Sequence, residues 1–273
     1  MKFTKMHALG NDFVVIDMRE AEVDNLPVMS QWLCNRRFGV GADQVLLLAD
    51  SDKADYSMLI YNADGSQVEM CGNGIRALAK YIWDRGMSDK DTLEIETLAG
   101  IIKPSKAGDL IRVDMGVPEL EGRKIPTNMD GRIIDRPMKV IDREFMVTCV
   151  SMGNPHAVIF VNDLERCPVH KYGPEIENRT TVFPNRTNVQ FVHVLSRSEF
   201  NQRVWERGAG ETMASGTGAS GAAVAAMLKD LVDSKVTVHL RGGDLIIEWA
   251  GEGQSVFMTG PATEVFEGEL STN

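Results

Sequence analysis

Met70-Cys71-Gly72-Asn73-Gly74 is the first copy of a motif that returns 144 residues later as Ala214-Ser215-Gly216-Thr217-Gly218. In both copies a small polar residue precedes Gly-X-Gly and then a predicted helix. The helix after the first copy is amphipathic, whereas residues 219–228 after the second are almost wholly small or apolar. Because a helix that is apolar all round is buried, we expect the second helix to run through the middle of its own sheet.

The rest of the chain repeats at nearly the same offset, which indicates a gene duplication. The further pairs are Asn11 with Asn154, Gln44 with Asn188, Asn62 with Glu206, Gly100 with Gly243, and Gly116 with Gly260. Alternating strand patterns surround the helices in each half. We therefore predict an α+β fold of two similar halves, 1–117 and 118–273, related by an approximate twofold axis and built mostly from antiparallel sheet. Whether the tail after residue 261 packs back onto the first half stays open.

Composition excludes several classes of protein. The 273 residues are 43% hydrophobic, which is enough for two domains. A net charge of −10 argues against a nucleic-acid or anionic-membrane partner. The start lacks the apolar core of a signal peptide and no apolar run approaches the about 20 residues of a membrane span, so a cytoplasmic protein is expected. The four cysteines show no CxxC spacing, which leaves a zinc site unsupported.

The chemistry is expected at the two glycine motifs. Cys71 precedes a helix, and the free N–H groups and dipole of a helix N-terminus favour a thiolate and lower the thiol pKa. The same N–H groups bind carboxylates. If Cys71 and Ser215 flank one cleft, they stand on either side of one α-carbon, as a two-base racemisation requires.

Other polar residues have both a plain and a functional interpretation. His156, after Asn154-Pro155, either caps a turn or serves the site. Glu206-Arg207, before the glycine-rich run 208–212, is either a surface pair or part of the cleft. Amide side chains at duplicated positions favour roles in the cleft: Asn11, Gln44, Asn62, Asn73, Asn154 and Asn188.

With these motifs the chain resembles the diaminopimelate epimerases. The matching segments are Lys5-Met6-His7-Ala8-Leu9-Gly10-Asn11-Asp12-Phe13, Gly39-Val40-Gly41-Ala42-Asp43-Gln44, Tyr61-Asn62-Ala63-Asp64-Gly65-Ser66, Cys71-Gly72-Asn73-Gly74, Ser151-Met152-Gly153-Asn154-Pro155-His156, Glu206-Arg207-Gly208-Ala209-Gly210-Glu211-Thr212 and Met258-Thr259-Gly260-Pro261. The resemblance implies two sheet rolls, each around a central helix. It implies interconversion of LL- and meso-2,6-diaminoheptanedioate for lysine and peptidoglycan synthesis, without pyridoxal phosphate or metal. Family members are commonly dimers, so a homodimer is the implied assembly.

The resemblance also implies roles for individual residues. The acid/base pair is Cys71 and position 215, and Glu206 and His156 serve the amine or the thiol chemistry. The backbones of Gly72-Asn73 and Gly216-Thr217 hold the α-carboxylate. Further substrate contacts are implied for Asn11, Gln44, Asn62, Asn154, Asn188 and Arg207.

Ser215 departs from the family pattern, which has cysteine there. A hydroxyl is a much weaker acid than a thiol, so the activity is expected to be impaired. Both a deliberate cysteine-to-serine substitution and a natural relative with altered activity fit the sequence. The alternatives are a racemase for another amino acid, a one-base isomerase or dehydratase that uses Cys71 alone, and a catalytically dead amino-acid-binding relative.

Overall fold

A computed structural model describes residues 1–20 and 25–270 of the chain. The chain forms two compact units, the first of Met1–Asp114 with Thr259–Asn273 and the second of Met115–Met258. The boundaries therefore differ from 1–117 and 118–273, because the tail from Thr259 belongs to the first unit. The cause is strand pairing, since residues 263–269 lie antiparallel to residues 2–7.

Nineteen strands and four helices are assigned among the described residues. The helices are α1 (Leu26–Cys34), α2 (Gly72–Asp84), α3 (Val169–Glu177) and α4 (Gly216–Leu228). The strands are β1 (Lys2–Ala8), β2 (Asn11–Asp17), β3 (Gln44–Ala49), β4 (Tyr56–Asn62), β5 (Gln67–Val68), β6 (Ile95–Thr97), β7 (Gly100–Ile102), β8 (Ser105–Ala107), β9 (Leu110–Asp114), β10 (Arg136–Val140), β11 (Arg143–Ser151), β12 (Pro155–Phe160), β13 (Asn188–Ser196), β14 (Glu199–Glu206), β15 (Gly210–Thr212), β16 (Lys235–Leu240), β17 (Gly243–Trp249), β18 (Val256–Gly260) and β19 (Thr263–Glu269).

The two units share one strand topology. The first unit has the order β19-β1-β2-β3-β4-β6-β7, with β5 beside β4, and it also contains the β8-β9 hairpin. The second has the order β10-β11-β12-β13-β14-β16-β17-β18, with β15 beside β14. Parallel pairs occur at matching places, namely β2-β3 and β4-β6 in the first unit and β12-β13 and β14-β16 in the second. The repeated order is what a duplicated α+β fold predicts.

The central helices differ in burial as their sequences predict. Residues 218–226 of α4 are all buried, whereas α2 places Asp84 and part of Trp83 in solvent. After α2 the chain turns at Gly86, whose φ of 63° is the left-handed conformation that ends helices. Gly86 therefore marks the end of α2.

Helix α1 ends well before the glycine at position 39. Its last residue is Cys34, and Asn35 adopts an extended conformation. The Asn35 side-chain oxygen accepts hydrogen bonds from the N–H groups of Arg37 and Phe38, both at 2.9 Å. This side-chain turn competes with the helix and takes over its end. None of the helices assigned in the described ranges is both long and apolar enough to cross a membrane.

Candidate active site

Cys71 caps the N-terminus of α2. Its sulfur accepts a hydrogen bond from the N–H of Gly74 at 3.4 Å, and its backbone is extended, with φ −137° and ψ 113°. The thiol is partly exposed. The sulfur therefore lies against the free N–H groups of the first turn, where negative charge is favoured.

Ser215 occupies the same place on α4. Its φ of −134° and ψ of 117° almost equal those of Cys71, and its hydroxyl oxygen accepts from the N–H of Gly218 at 3.3 Å. The last glycine of each motif is favoured by packing. A Cβ on Gly74 would lie 3.1 Å from Leu46, and one on Gly218 would lie 3.0 Å from Gln190. A side chain at either position would therefore require its neighbours in the sheet to shift by a few tenths of an ångström.

Asn11 presents its carbonyl oxygen to the first motif. Its amide nitrogen donates to the Asp43 carboxylate at 2.9 Å, and because a carboxylate only accepts, the orientation of the amide is fixed. The Asn11 oxygen accepts from the Asn73 amide at 3.2 Å and lies 3.8 Å from the Cys71 sulfur. The first unit therefore places a hydrogen-bond acceptor beside its thiol.

An ion-pair cluster holds this arrangement in place. Arg36 bridges Asp12 at 2.6 Å and Asp43 at 2.7 Å, and Lys5 pairs with Asp12 from the other side. Burial raises the pKa of Asp12, but hydrogen bonds from Arg36 and Lys5 outweigh burial and lower the pKa to about 2. Asp12 stays ionised at any working pH.

Gln44 and Asn62 face each other across β3 and β4. The Gln44 amide donates to the Asn62 oxygen at 2.9 Å, and the Asn62 amide donates to the Ser66 hydroxyl at 3.0 Å. The Gln44 carbonyl oxygen is buried without a hydrogen-bond partner among the described residues. A buried acceptor of this kind is costly unless a ligand donor reaches it.

His156 lies in a buried chain of amides in the second unit. Its Nδ1 lies 3.0 Å from the Gln190 amide nitrogen, and the Gln190 oxygen accepts from the Gln202 amide at 2.7 Å. Since Gln190 donates to Nδ1, the ring proton is on Nε2 and is donated to the Asn154 oxygen at 2.9 Å.

His156 is enclosed by protein groups in this environment. The ring is 0% exposed, and burial, with a further contribution from Arg207, lowers its pKa to about 3. Both ring nitrogens are engaged by protein amides. The neutral imidazole orients Asn154, whose amide nitrogen then points to the Thr217 hydroxyl at 3.3 Å.

Asn188 is also enclosed by protein groups. It is buried, its oxygen accepts from the Arg207 N–H at 3.0 Å, and its amide donates to the Pro155 carbonyl at 2.9 Å. Both ends of the side chain are therefore bound to backbone, and Asn188 ties β13 to the loop that carries Arg207. The Arg207 guanidinium is exposed and donates to the Asn185 carbonyl at 2.9 Å.

Among the candidate residues of the second unit, Glu206 carries a carboxylate, and its side chain is partly exposed. It lies at the end of β14, opposite Gly210 of β15, and accepts from the Thr212 hydroxyl at 2.5 Å. Within residues 1–20 and 25–270, no group of three or more His, Cys, Asp or Glu side chains has the arrangement of a metal site.

Several residues at the motifs were missed by reasoning from the sequence. Asp43 and Arg36 orient Asn11, Gln190 and Gln202 hold His156, and Arg76 is buried beside the first motif. One signal was available for Arg76, because this charged residue stands between the apolar residues Ile75 and Ala77, five positions after Cys71. The glutamines lie two and fourteen residues beyond Asn188, and only strand register brings them together.

Comparison with known proteins gives one consistent family. The family model of diaminopimelate epimerase matches residues 3–121 and 148–265, which are the two duplicated stretches. Diaminopimelate epimerase from Moorella thermoacetica is 51% identical over 277 residues, covering 99% of each chain. That from Agathobacter rectalis is 49% identical over 284 residues, again covering 99% of each chain.

Solved structures share the fold at low sequence identity. A phenazine biosynthesis protein of the PhzF family from Bacillus anthracis has a TM-score of 0.75 at 16% identity, covering 100% of this chain and 99% of its own. A hydroxyproline epimerase from Agrobacterium vitis has a TM-score of 0.68 at 15% identity, covering 98% and 91%. The predicted α+β fold of duplicated units is confirmed.

Proposed function

We propose, since the chain belongs to the diaminopimelate epimerase family, that it acts on 2,6-diaminoheptanedioate by moving a proton at one α-carbon between the LL and meso forms. The observation that carries the proposal is the pair of capped helix N-termini at Cys71 and Ser215, which share backbone geometry and a Gly-X-Gly first turn. A duplicated pair of this kind suits a reaction that treats the two faces of one carbon alike.

Each group has an assigned task. The Cys71 thiolate removes or returns the α-proton on one face, and the group at position 215 serves the other face. The first-turn N–H groups of Gly72-Asn73 and Gly216-Thr217 hold the α-carboxylate and stabilise the charge that develops there when the proton leaves. No external electron sink is required by this assignment, because the carboxylate itself takes up the charge.

The distant end of the substrate is assigned to further polar groups. The exposed Arg207 guanidinium suits the second carboxylate, since the two groups form paired hydrogen bonds. Glu206 suits an ammonium group. The unfilled Gln44 oxygen, with Asn62 beside it, is a further acceptor for N–H donors.

Ser215 favours a second candidate function, in which Cys71 alone exchanges the α-proton and returns it to the same face. In that case the chain is a one-base isomerase or an amino-acid-binding relative. The two candidates differ in stereochemistry, because one-base exchange retains configuration.

Exchange of the α-hydrogen in deuterated water tests the role of Cys71. With each diaminopimelate isomer tested in turn, we expect the chain as it stands to incorporate deuterium slowly from the isomer whose α-hydrogen faces Cys71, and we expect no incorporation by Cys71→Ala. Binding of both isomers by calorimetry shows that the Cys71→Ala protein remains intact. Equal incorporation with and without the thiol contradicts the assignment.

For assembly and location, we propose a cytoplasmic homodimer that binds no nucleic acid or membrane. The proposal rests on the family and on the net charge of −10. Sedimentation equilibrium is expected to give twice the chain mass of 30.1 kDa.

A further inference from the structure

Glu177, the last residue of α3, is a buried carboxylate with an exposed fraction of 5%. Its Oε1 accepts hydrogen bonds from the N–H of Gly208 at 2.8 Å and from the Arg186 guanidinium at 3.0 Å. Its Oε2 accepts from the indole N–H of Trp205 at 2.8 Å. A buried charge is costly unless it is paired and hydrogen-bonded, and these three donors meet that requirement.

Two of the donors flank Arg207 in the chain, because Trp205 precedes it by two residues and Gly208 follows it directly. Trp205 also packs closely against α3, since a Cβ on Gly173 would lie 2.6 Å from the indole Cγ. The Arg207 N–H itself donates to the Asn188 side-chain oxygen at 3.0 Å. The backbone on both sides of Arg207 is therefore held by α3 and β13.

The first unit has a corresponding turn. It closes with a hydrogen bond from the Gly65 N–H to the Asn62 carbonyl at 2.9 Å, and the turn of the second unit closes with one from the Ala209 N–H to the Glu206 carbonyl at 3.1 Å. A helix also occupies the same place in each unit, with α1 between the parallel strands β2 and β3 and α3 between the parallel strands β12 and β13. The two helix-and-turn pairs are therefore counterparts.

The two helices hold their turns through side chains of opposite hydrogen-bonding character. In the first unit the exposed Gln31 amide donates to the Asp64 carbonyl at 2.7 Å, and Asp64 matches Gly208 at the offset of 144 residues. At the position of Arg207 the first turn has Ala63. The buried carboxylate therefore belongs to the helix whose turn carries a charged side chain.

We propose that Glu177 is a positioning residue for Arg207, whose guanidinium it holds in place for the second carboxylate of the substrate. The inference rests on the proposed function, because it takes Arg207 as the group that binds this carboxylate. It goes further in assigning the residue that makes the site selective for an amino acid with a carboxylate at its distant end.

Contacts of the arginine side chain support this role. The exposed Arg207 guanidinium donates to the Asn185 carbonyl at 2.9 Å, and the next residue, Arg186, binds Glu177. Glu177 thus contacts both the backbone beside Arg207 and the segment that receives its side chain. A guanidinium has five N–H donors, so this bond leaves donors for a ligand. Fixing it before the ligand arrives lowers the ordering cost of binding.

Titration calorimetry with LL-2,6-diaminoheptanedioate tests the role of Glu177 without requiring turnover. Glu177→Met keeps a side chain of similar length and removes all the acceptors, so the affinity should fall about tenfold or more. Glu177→Gln can keep its oxygen toward Gly208 and Arg186, and it should retain most of the affinity. The matched control is Glu175→Met on the exposed side of α3, which should change nothing. Unchanged affinity in a folded Glu177→Met protein overturns the proposal, and so does a glutamine variant as weak as the methionine one.

A double-mutant cycle with Arg207→Met separates positioning from general packing. If Glu177 acts through Arg207, Glu177→Met should weaken binding no further once the guanidinium is absent. An additive loss overturns the proposal. An effect of Arg207→Met without one of Glu177→Met also overturns this inference, and it leaves the proposed function intact. If Arg207→Met alone leaves the affinity unchanged, the assignment of Arg207 in the proposed function fails first, and this inference fails with it.

Amide hydrogen exchange followed by NMR on the unsubstituted chain does not depend on how a variant folds. Gly208 is exposed in its turn, yet its N–H is bonded to a buried carboxylate. We therefore expect its exchange to be slowed about tenfold or more relative to an unstructured chain. A Gly208 N–H that exchanges at the unstructured rate overturns the proposal.

Discussion

The two helix N-termini have the same backbone but different surroundings. Beneath α2 the sheet is apolar, with Phe13, Leu46 and Met58 all buried. At the corresponding positions beneath α4 the sheet is polar. His156 is the counterpart of Phe13, because Phe13 pairs with Gln44 as His156 pairs with Asn188. Gln190 and Gln202 are the counterparts of Leu46 and Met58.

Duplication therefore preserved the helix caps, while each copy acquired its own means of orienting an asparagine. In the first unit the acceptor-only carboxylate of Asp43 turns the Asn11 carbonyl toward the motif. In the second, the Nε2–H of His156 binds the Asn154 carbonyl and turns its amide nitrogen toward Thr217. A carbonyl oxygen, which accepts hydrogen bonds, therefore faces the first motif, and an amide nitrogen, which donates them, faces the second.

The largest expected effect comes from making the first cap identical to the second. Cys71→Ser removes the thiolate but retains an N-cap oxygen, so the helix is kept. We expect α-hydrogen exchange to fall by about 10²–10⁴-fold, the usual effect of losing an acid/base group. Thermal unfolding should change little. Exchange that survives in this variant would mean that the caps are equivalent and that neither thiol chemistry nor the asymmetry matters.

The next effect comes from giving the second unit the apolar residue of the first. His156→Phe leaves the Asn154 oxygen and the Gln190 amide without partners, and each buried unsatisfied group costs about 1–3 kcal/mol. Urea unfolding should show a loss of roughly 2–4 kcal/mol in the free energy of unfolding.

A triple change sharpens the same comparison. Replacing the whole polar layer, His156→Phe with Gln190→Leu and Gln202→Met, removes the glutamine donors and acceptors together. Apolar replacement of both partners is often nearly neutral, so the triple variant should recover much of the stability lost by the single one. If it is less stable than His156→Phe alone, the three side chains do not act as one network.

The last effect is a pH slope to which the buried histidine of the second unit contributes. The pKa of His156 is lowered to about 3 in the folded chain, against about 6.5 when unfolded, so below pH 6.5 only the unfolded state takes up this proton. Stability is therefore fully present above pH 6.5 and is lost as the pH falls toward 3, by about 1.4 kcal/mol per unit. His156→Gln should reduce the slope between pH 6 and 4 by one proton. An unchanged slope would mean that another group is responsible.

Patterns along the sequence were sufficient to predict the duplicated fold and the two helix caps. Spacing of 144 residues, a glycine motif and helix periodicity are local or repeated signals. The surroundings of His156 and Asn188 depend on which strands are neighbours, and a short motif does not encode this. The position of the tail could not be predicted, because it depends on strand pairing between residues at opposite ends of the chain. The end of α1 could not be predicted either, because the side chain of Asn35 competes with the last turn of the helix.

The most direct measurement concerns position 215. If the two caps work as a pair, Ser215→Cys, which supplies the second thiol, should convert LL-diaminopimelate to the meso form with solvent deuterium at the inverted centre. Chiral chromatography with mass spectrometry follows both quantities, and the rate should exceed that of the unsubstituted chain by about 10²–10⁴-fold. A folded Ser215→Cys protein that binds the substrate but yields no inverted product would contradict the account.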